Sequence, residues 1–155
     1  DIVHNVFYRV GMFEAFDEIF GDGFARFEQP EAWRLFPETL DVLKTLKGQG
    51  FELGIISNFD SRLFSVLRGL GIADLFDTVT ISSLAHAAFR QALEKHAVDP
   101  DEALHVGDSE RDDVKGAQGV GLTGVLLARG EGARPSGGTT IGNLNELLPL
   151  LSRLQ

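Results

Sequence analysis

Residues 51–58 read Phe-Glu-Leu-Gly-Ile-Ile-Ser-Asn, and this stretch decides the fold class. A short apolar run that ends in polar residues is typical of a buried strand in a parallel sheet, so a strand is predicted over 51–57. Leucines at helical spacing flank it and predict helices over residues 38–48 and 60–70, each followed by glycine. Further strands are predicted at 77–81, 103–106, 122–127 and 139–141, and further helices at 84–96, 110–118 and 143–154. Because strands alternate with helices, the sequence predicts βαβ units and an α/β fold with a doubly wound parallel sheet.

The composition describes an acidic chain of one-domain size. It has 155 residues, 14 Lys+Arg against 23 Asp+Glu, a formal net charge of −9 and no cysteine. The negative charge repels nucleic acid phosphates, and the lack of cysteine excludes disulfides, thiol catalysis and Cys-ligated metal sites. The sequence has no apolar run of about 18–20 residues and no signal-peptide pattern, so we expect no membrane partner and a cytoplasmic location.

The first thirty residues differ in pattern from the rest of the chain. Phenylalanine recurs at intervals of three or four between residues 13 and 27, with Gly21 and Gly23 as interruptions. This spacing predicts two amphipathic helices, and an aromatic stripe of this kind is typical of core packing rather than of a cofactor site. Residues 31–37, which end in Pro37, are then predicted to form a linker.

Ligands of doubly wound sheets bind beyond the carboxyl ends of the strands, so chemistry is expected just after residues 57 and 106. Ser57 and Asn58 follow the first of these strands. A hydroxyl and backbone amides at a strand-to-helix junction can hold an anion. The alternative is that Asn58 or Asp60 only caps the following helix.

Gly107-Asp108-Ser109 follows the second strand, and Asp112 and Asp113 lie about one helical turn further on. Carboxylates that converge on one point repel each other unless a cation or a proton compensates. Such oxygen ligands suit Mg²⁺, which takes one or two carboxylates together with phosphate and water. The alternative is capping of a helix, with the acidic residues placed favourably in its first turn.

Three other patterns receive no functional assignment. Residues 119–124 match G-x-G-x-x-G, but they follow a predicted helix and precede a strand, which is the reverse of the dinucleotide-binding order. The glycine-rich loop 130–138 lacks the lysine of a P-loop. His105 lies on a predicted buried strand and is interpreted as a satisfied core residue rather than a base.

The two strand-end motifs, in this order and with this βαβ spacing, resemble those of the haloacid dehalogenase (HAD) superfamily of hydrolases. The likeness runs through most of residues 30–155. Stretches similar to the REG-2-like branch of HAD-like hydrolase domain-containing proteins are 31–33, 54–63 and 105–109. The resemblance implies a Rossmann-like core over residues 38–155, which lacks its first strand, a linker over 31–37 and the remainder of a helical cap over 1–30.

The resemblance also implies roles for the strand-end residues. Ser57 and Asn58 would hold the transferring phosphoryl group, Asp108 would ligate Mg²⁺ and Asp113 would support the metal site, with Asp112 as a rival for that last role. The family's reaction is attack by an aspartate on a phosphoester, followed by hydrolysis of the aspartyl-phosphate. Retention of Asp108 favours phosphate chemistry, because halide-removing members usually replace that aspartate.

The sequence departs from the family pattern in two places. No D-x-D motif, which supplies the nucleophile and the general acid/base, precedes Ser57, and no lysine lies in the 84–87 segment where the third motif is expected. The family's D-x-D strand lies between the strands that end at Ser57 and Val106, and its loss leaves two apolar strand edges unpaired. We therefore expect a longer molecule, from which an N-terminal segment and part of the loop at residue 84 are omitted, and no catalytic residue is assigned.

The predicted function is that of a Mg²⁺-dependent phosphatase acting on a small phosphorylated metabolite. Two alternatives stay open from the sequence. One is a non-catalytic binding module with the same fold, which naturally lacks the nucleophile and the lysine. The other is a metal-independent hydrolase of the dehalogenase type.

Overall fold

The computed structural model describes residues 33–82, 84–130 and 138–154. The α-helices are α1 (Thr39–Gly48), α2 (Leu63–Gly69), α3 (Ala85–His96), α4 (Gly116–Gln118) and α5 (Leu147–Leu154). The strands are β1 (Gly54–Ser57), β2 (Thr78–Ile81), β3 (Leu104–Gly107), β4 (Thr123–Leu127) and β5 (Thr139–Ile141). A π-helical segment, Glu110–Lys115, precedes α4, and 3₁₀ turns occupy Ala73–Leu75, Pro100–Glu102 and Leu144–Glu146.

The described strands form two parallel sheets rather than one. β1 pairs with β2, with Ser57 opposite Ile81 at the carboxyl end. β3, β4 and β5 pair in that order, with Gly107 opposite Leu126. The predicted parallel α/β architecture is therefore confirmed, with a break between β1 and β3 among the described residues.

Helices on both faces hold the two sheets together. On one face, α1 contributes Val42 to the core cluster of β4 and β5, and its Leu43 to the cluster of β1 and α2. On the other face, Phe89 of α3 belongs to a cluster against which Ile56 of β1 packs, and its ring meets the His105 ring of β3 at 4.7 Å. The two sheets thus share packing helices, although no described strand pairs β1 with β3.

Glycines end the helices where the sequence predicts. Gly50 (φ +88°) and Gly71 (φ +70°) lie just beyond α1 and α2, in the left-handed region where a side chain is unfavourable. The amide of Gly50 donates to the Lys47 carbonyl and that of Gly71 to the Arg68 carbonyl. Each helix therefore turns sharply toward the next element.

Two element boundaries differ from prediction for visible reasons. The first strand starts at Gly54 rather than at residue 51, because the Leu53 amide donates to the Asp77 carboxylate (2.7 Å) instead of to a neighbouring strand. The predicted helix over 110–118 begins as a π-helical turn, because the Ser109 carbonyl accepts from the amides of both Asp113 and Val114. A π-turn inserts one extra residue per turn and redirects the side chains that follow.

Two sequence expectations lie outside the described residues: the phenylalanine stripe of the cap-like start and most of the 130–138 loop. Among the residues that the structure does describe, no helix combines the length and apolar character needed to cross a bilayer.

Candidate functional site

The carboxyl end of β1 presents a buried hydroxyl. Ser57 is 2% exposed, and its carbonyl accepts from the Ser82 amide at 3.0 Å, which continues the pairing with β2. The Ser57 hydroxyl oxygen accepts from the Phe59 amide at 3.1 Å. This bond uses one of the two lone pairs of the oxygen, and the O–H group remains able to donate its proton to an anion at the strand end. Asn58, the next residue, is exposed at the same edge.

The interpretation of Asn58 or Asp60 as the cap of α2 is not confirmed, because the N-cap residue is Arg62 and no side chain caps it. Asp60 instead holds the turn before this helix. Its carboxylate accepts from the Arg62 amide at 2.9 Å and from the Arg62 guanidinium at 2.8 Å. The guanidinium hydrogen bond, with the Arg62 charge, holds the pKa of Asp60 below its ordinary value against a smaller opposing effect of burial.

Aromatic rings support the same turn. The Arg62 guanidinium lies 5.2 Å from the centre of the Phe59 ring, and Trp33 meets that ring edge-on at 6.3 Å. Sequence reasoning missed Arg62, although an arginine two residues after an aspartate at a strand end was a usable signal. The segment predicted as a linker is packed at this point, because Trp33 is buried.

The carboxyl end of β3 presents Asp108, which is partly buried. The preceding Gly107 is required by packing, since a Cβ there would lie 2.1 Å from the Asp113 carboxyl carbon. Asp113 therefore lies directly over the Gly107 backbone. This close approach places Asp113 against the backbone on both sides of Asp108, while the predicted convergence of the two carboxylates stays a prediction.

Asp113 is buried and engaged on both carboxylate oxygens. Oδ1 lies 2.9 Å from His105 Nε2, and Oδ2 accepts from the Ser109 amide at 2.9 Å. Burial raises the pKa of Asp113, but the hydrogen bond and charge of His105 and the Ser109 amide outweigh burial and hold that pKa well below the ordinary value. Asp113 is thus an ionised acceptor inside the fold, and His105 is a partnered core residue.

The Asp112 side chain, in contrast to that of Asp113, points toward solvent. Its side chain is 62% exposed, and its amide donates to the Ser109 hydroxyl at 3.0 Å. Ser109 rather than an aspartate is therefore the helix cap, which refines the capping alternative. Between the two adjacent aspartates, the one that lies against Gly107 and the Ser109 amide is Asp113.

Two of the described lysines, Lys95 and Lys115, are engaged by other groups of the fold. Lys95 donates to the Val79 carbonyl at 2.7 Å and to Thr80 Oγ1 at 3.2 Å, so it covers the edge of β2. Lys115 lies 3.5 Å from Glu110. No group of three or more His, Cys, Asp or Glu side chains that could hold a metal occurs among the described residues. Asp108 can therefore supply only part of a metal site.

Comparison with known proteins identifies the family of this chain. A family model described as haloacid dehalogenase-like hydrolase matches residues 9–121, most of the chain. The chain belongs to the haloacid dehalogenase-like hydrolase family. The strand-end motifs Ser57-Asn58 and Gly107-Asp108 both lie within the matched residues.

Relatives of this HAD-like chain include named phosphatases. Haloacid dehalogenase-like hydrolase domain-containing protein 3 of Bos taurus is 30% identical over 100% of the chain and 67% of the relative. Glyceraldehyde 3-phosphate phosphatase of Methanothermobacter thermautotrophicus is 32% identical over 61% of the chain and 45% of the relative. The crystal structure of a HAD phosphatase from Thermococcus onnurineus superimposes with a TM-score of 0.74 and 32% identity, covering 79% of the chain and 60% of that structure.

These matches cover only part of the other proteins. The chain spans between about half and two thirds of the length of each of the three. The HAD fold of the described core is therefore established, while the activity of the whole protein is a matter for proposal.

Proposed function

We propose that this chain is the larger part of a Mg²⁺-dependent HAD phosphatase that acts on a small phosphorylated metabolite. The observation that supports the proposal is that Ser57 is the last residue of β1 and Asp108 directly follows β3, so both lie at the carboxyl ends of parallel strands. A hydroxyl donor suits a phosphoryl oxygen, and a carboxylate suits a hard cation. Phosphoryl transfer needs the hydroxyl donor and the metal-binding carboxylate at the same end of the strands.

Ser57 and Asn58 are assigned to the phosphoryl group. The buried Ser57 hydroxyl is oriented by the Phe59 amide, so little rotational freedom is lost when it donates to a phosphoryl oxygen. The exposed Asn58 lies at the same strand end, where its side-chain amide can donate to a second oxygen. Arg62, in the loop that follows, is paired with Asp60, so the two together add no net charge there.

Asp108 is assigned to the metal, with Asp113 behind it. The donor set fits Mg²⁺, because this ion is commonly bound through one or two carboxylates together with substrate phosphate and water. When bound, Mg²⁺ neutralises charge on the phosphoryl oxygens. Asp108, partly buried at the strand end, is the ligand that this chain contributes among its described residues.

The nucleophile is assigned to an aspartate outside the described residues, on a strand between β1 and β3. The interruption of the sheet at that place supports the assignment. A carboxylate oxygen of this aspartate would bond to phosphorus while the bond from phosphorus to the ester oxygen breaks, and the leaving alcohol would take its proton from the general acid of the same D-x-D motif. Water would then give a proton back to that group as its oxygen bonds to phosphorus, and the bond from phosphorus to the aspartate oxygen would break, which releases inorganic phosphate and regenerates both carboxyl groups.

Turnover by the full-length protein tests the proposal. Release of inorganic phosphate from p-nitrophenyl phosphate is measured with Mg²⁺, with excess EDTA, and after Mg²⁺ is restored. We expect turnover that EDTA abolishes and Mg²⁺ recovers. Chloride release from 2-chloropropionate without phosphate release would instead indicate a dehalogenase, and the absence of both products would indicate a binding module.

A further inference from the structure

His105 is a buried polar residue that the proposed chemistry does not use. It lies on β3, two residues before Gly107, so both residues point to the same face of the strand. The Phe89 ring covers the imidazole edge-on at 4.7 Å, with 79° between the ring planes. Burying an imidazole costs free energy unless its ring nitrogens have partners, so the nature of the partner is informative.

The partner of His105 is the carboxylate that fixes the turn at the end of β3. His105 Nε2 lies 2.9 Å from Asp113 Oδ1, while Asp113 Oδ2 accepts the amide of Ser109, the residue directly after Asp108. Because Gly107 has no side chain, Asp113 can lie against the backbone on the other side of Asp108. Asp113 therefore contacts the chain on both sides of the proposed metal ligand.

A carboxylate held at both oxygens has one orientation, and a carboxylate held at one can rotate about its χ angles. Loss of the His105 bond would leave Asp113 Oδ1 buried without that donor and would free the side chain to move away from the Ser109 amide. The turn that presents Asp108 would then loosen. Residues that orient a metal ligand from behind typically change metal affinity or activity by about 10–100-fold when removed.

We propose that His105 is a positioning residue that, through Asp113, fixes the Gly107–Ser109 turn in the orientation that aims Asp108 at the metal. Asp113 itself then acts as a brace for this turn rather than as a direct metal ligand. The catalytic consequence rests on the proposed phosphatase function, whereas the effect on the turn does not.

Two substitutions separate positioning from simple core packing. His105→Leu removes the donor and keeps an apolar side chain, while His105→Gln restores an N–H donor. For His105→Leu we expect kcat for p-nitrophenyl phosphate to fall by about 10–100-fold, a raised half-saturating Mg²⁺ concentration and a KM within about twofold of the wild type. His105→Gln is expected to recover most of kcat. A control is His96→Leu, which removes the partner of Glu52 and Thr78 at the opposite end of the sheet and should leave kcat unchanged.

Amide hydrogen exchange measures the turn without any activity. In His105→Leu the Ser109 amide should exchange at least about tenfold faster than in the wild type, while the Ser82 amide, bonded to Ser57, keeps its protection. Equal Ser109 exchange in the two proteins would overturn the proposal. If the wild type lacks phosphatase activity, the proposed function fails and this exchange measurement still decides the role of His105.

Nuclear magnetic resonance of the wild type covers the case in which His105→Leu does not fold. The ¹⁵N spectrum of the His105 ring should show a proton on Nε2, as a donor to Asp113 requires. An unprotonated Nε2 would refute the proposed hydrogen bond and with it the positioning role.

Discussion

Gly107 has no side chain, and this lets the buried Asp113 pack against the end of β3, directly before Asp108. Gly107 lets the Asp113 carboxylate lie over the strand end, where it also reaches the Ser109 amide. Any Cβ at this position would fall within 2.5 Å of three Asp113 atoms. The Gly107 backbone and the Asp113 carboxylate are both buried, so neither can move without breaking other contacts.

Gly107→Ala is therefore expected to lower the free energy of unfolding by about 3 kcal/mol, through overpacking and loss of the Asp113 hydrogen bonds. Urea unfolding followed by circular dichroism measures the change. Gly48→Ala is the matched control, because a Cβ at this helical position meets no atom within 4 Å. That control should be neutral or up to about 1 kcal/mol more stable. Equal stability of Gly107→Ala and the wild type would show that Asp113 does not occupy this position.

At the scale of elements, an ion pair joins the start of α1 to the end of β4. Arg129 Nη2 lies 2.6 Å from Glu38 Oε1, and the same oxygen accepts from the Leu144 amide at 3.3 Å. The guanidinium also lies 3.7 Å from the centre of the Phe36 ring. Burial raises the pKa of Glu38, but its hydrogen bonds to its own backbone and to Arg129 and Leu144 together hold that pKa below the ordinary value.

A carboxyl whose pKa is lowered on folding stabilises the protein above its unfolded pKa, and this contribution is lost as the pH falls. We expect Glu38→Gln to cost about 2 kcal/mol at pH 7 and progressively less as the pH falls below about 4.3. Thermal or urea unfolding at several pH values measures the difference. Glu94→Gln, an exposed residue of α3, should change stability by less than about 0.5 kcal/mol at every pH. A pH-independent cost for Glu38→Gln would contradict the ionic role.

Phe89 links the two sheets from α3. Its ring contacts His105 of β3, and Ile56 of β1 packs against the same cluster. Phe89→Ala should therefore cost about 3–5 kcal/mol, measured by urea unfolding. Leu84→Ala, with a side chain 69% exposed just before the same helix, should cost less than about 0.5 kcal/mol. Similar costs for both substitutions would mean that α3 does not hold the sheets together.

The elements were predictable because their patterns are local. Leu40, Leu43 and Leu46 mark α1, and the apolar run before Ser57 marks β1. Boundaries and partners depend on distant residues, which local patterns do not encode. Asp77 shortens β1 by taking the Leu53 amide, and the π-turn after Ser109 decides that Asp113 rather than Asp112 points inward. The sequence alone left those two aspartates as alternatives.

At the scale of the whole molecule, the described strands form two parallel sheets, and the D-x-D strand of the family pattern is expected between β1 and β3. β1 and β3 each have one partner within the described residues, while helices cover the layer from both faces. Unpaired apolar strand edges favour association, and proteins usually pair or cover them. We propose that a further segment of the natural protein supplies a parallel strand there.

Intact mass spectrometry of the natural protein tests this proposal. We expect a mass above the 16.9 kDa of this chain. In addition, the extra sequence should contain a D-x-D motif within a short apolar run. A natural mass of 16.9 kDa would contradict the proposal and favour the non-catalytic binding module.

The central proposal is that a Mg²⁺-dependent phosphoryl site lies at the carboxyl ends of β1 and β3. Substitution of Asp108 tests this proposal most directly. Phosphate release from p-nitrophenyl phosphate is measured over a range of Mg²⁺ concentrations for the full-length wild type, Asp108→Asn and Asp112→Asn. The two substitutions remove the same charge four residues apart, and Asp112 faces solvent. We predict that Asp108→Asn loses at least about 100-fold in kcat/KM, while Asp112→Asn stays within about twofold of the wild type. Unchanged Mg²⁺-dependent turnover in Asp108→Asn would contradict the assignment.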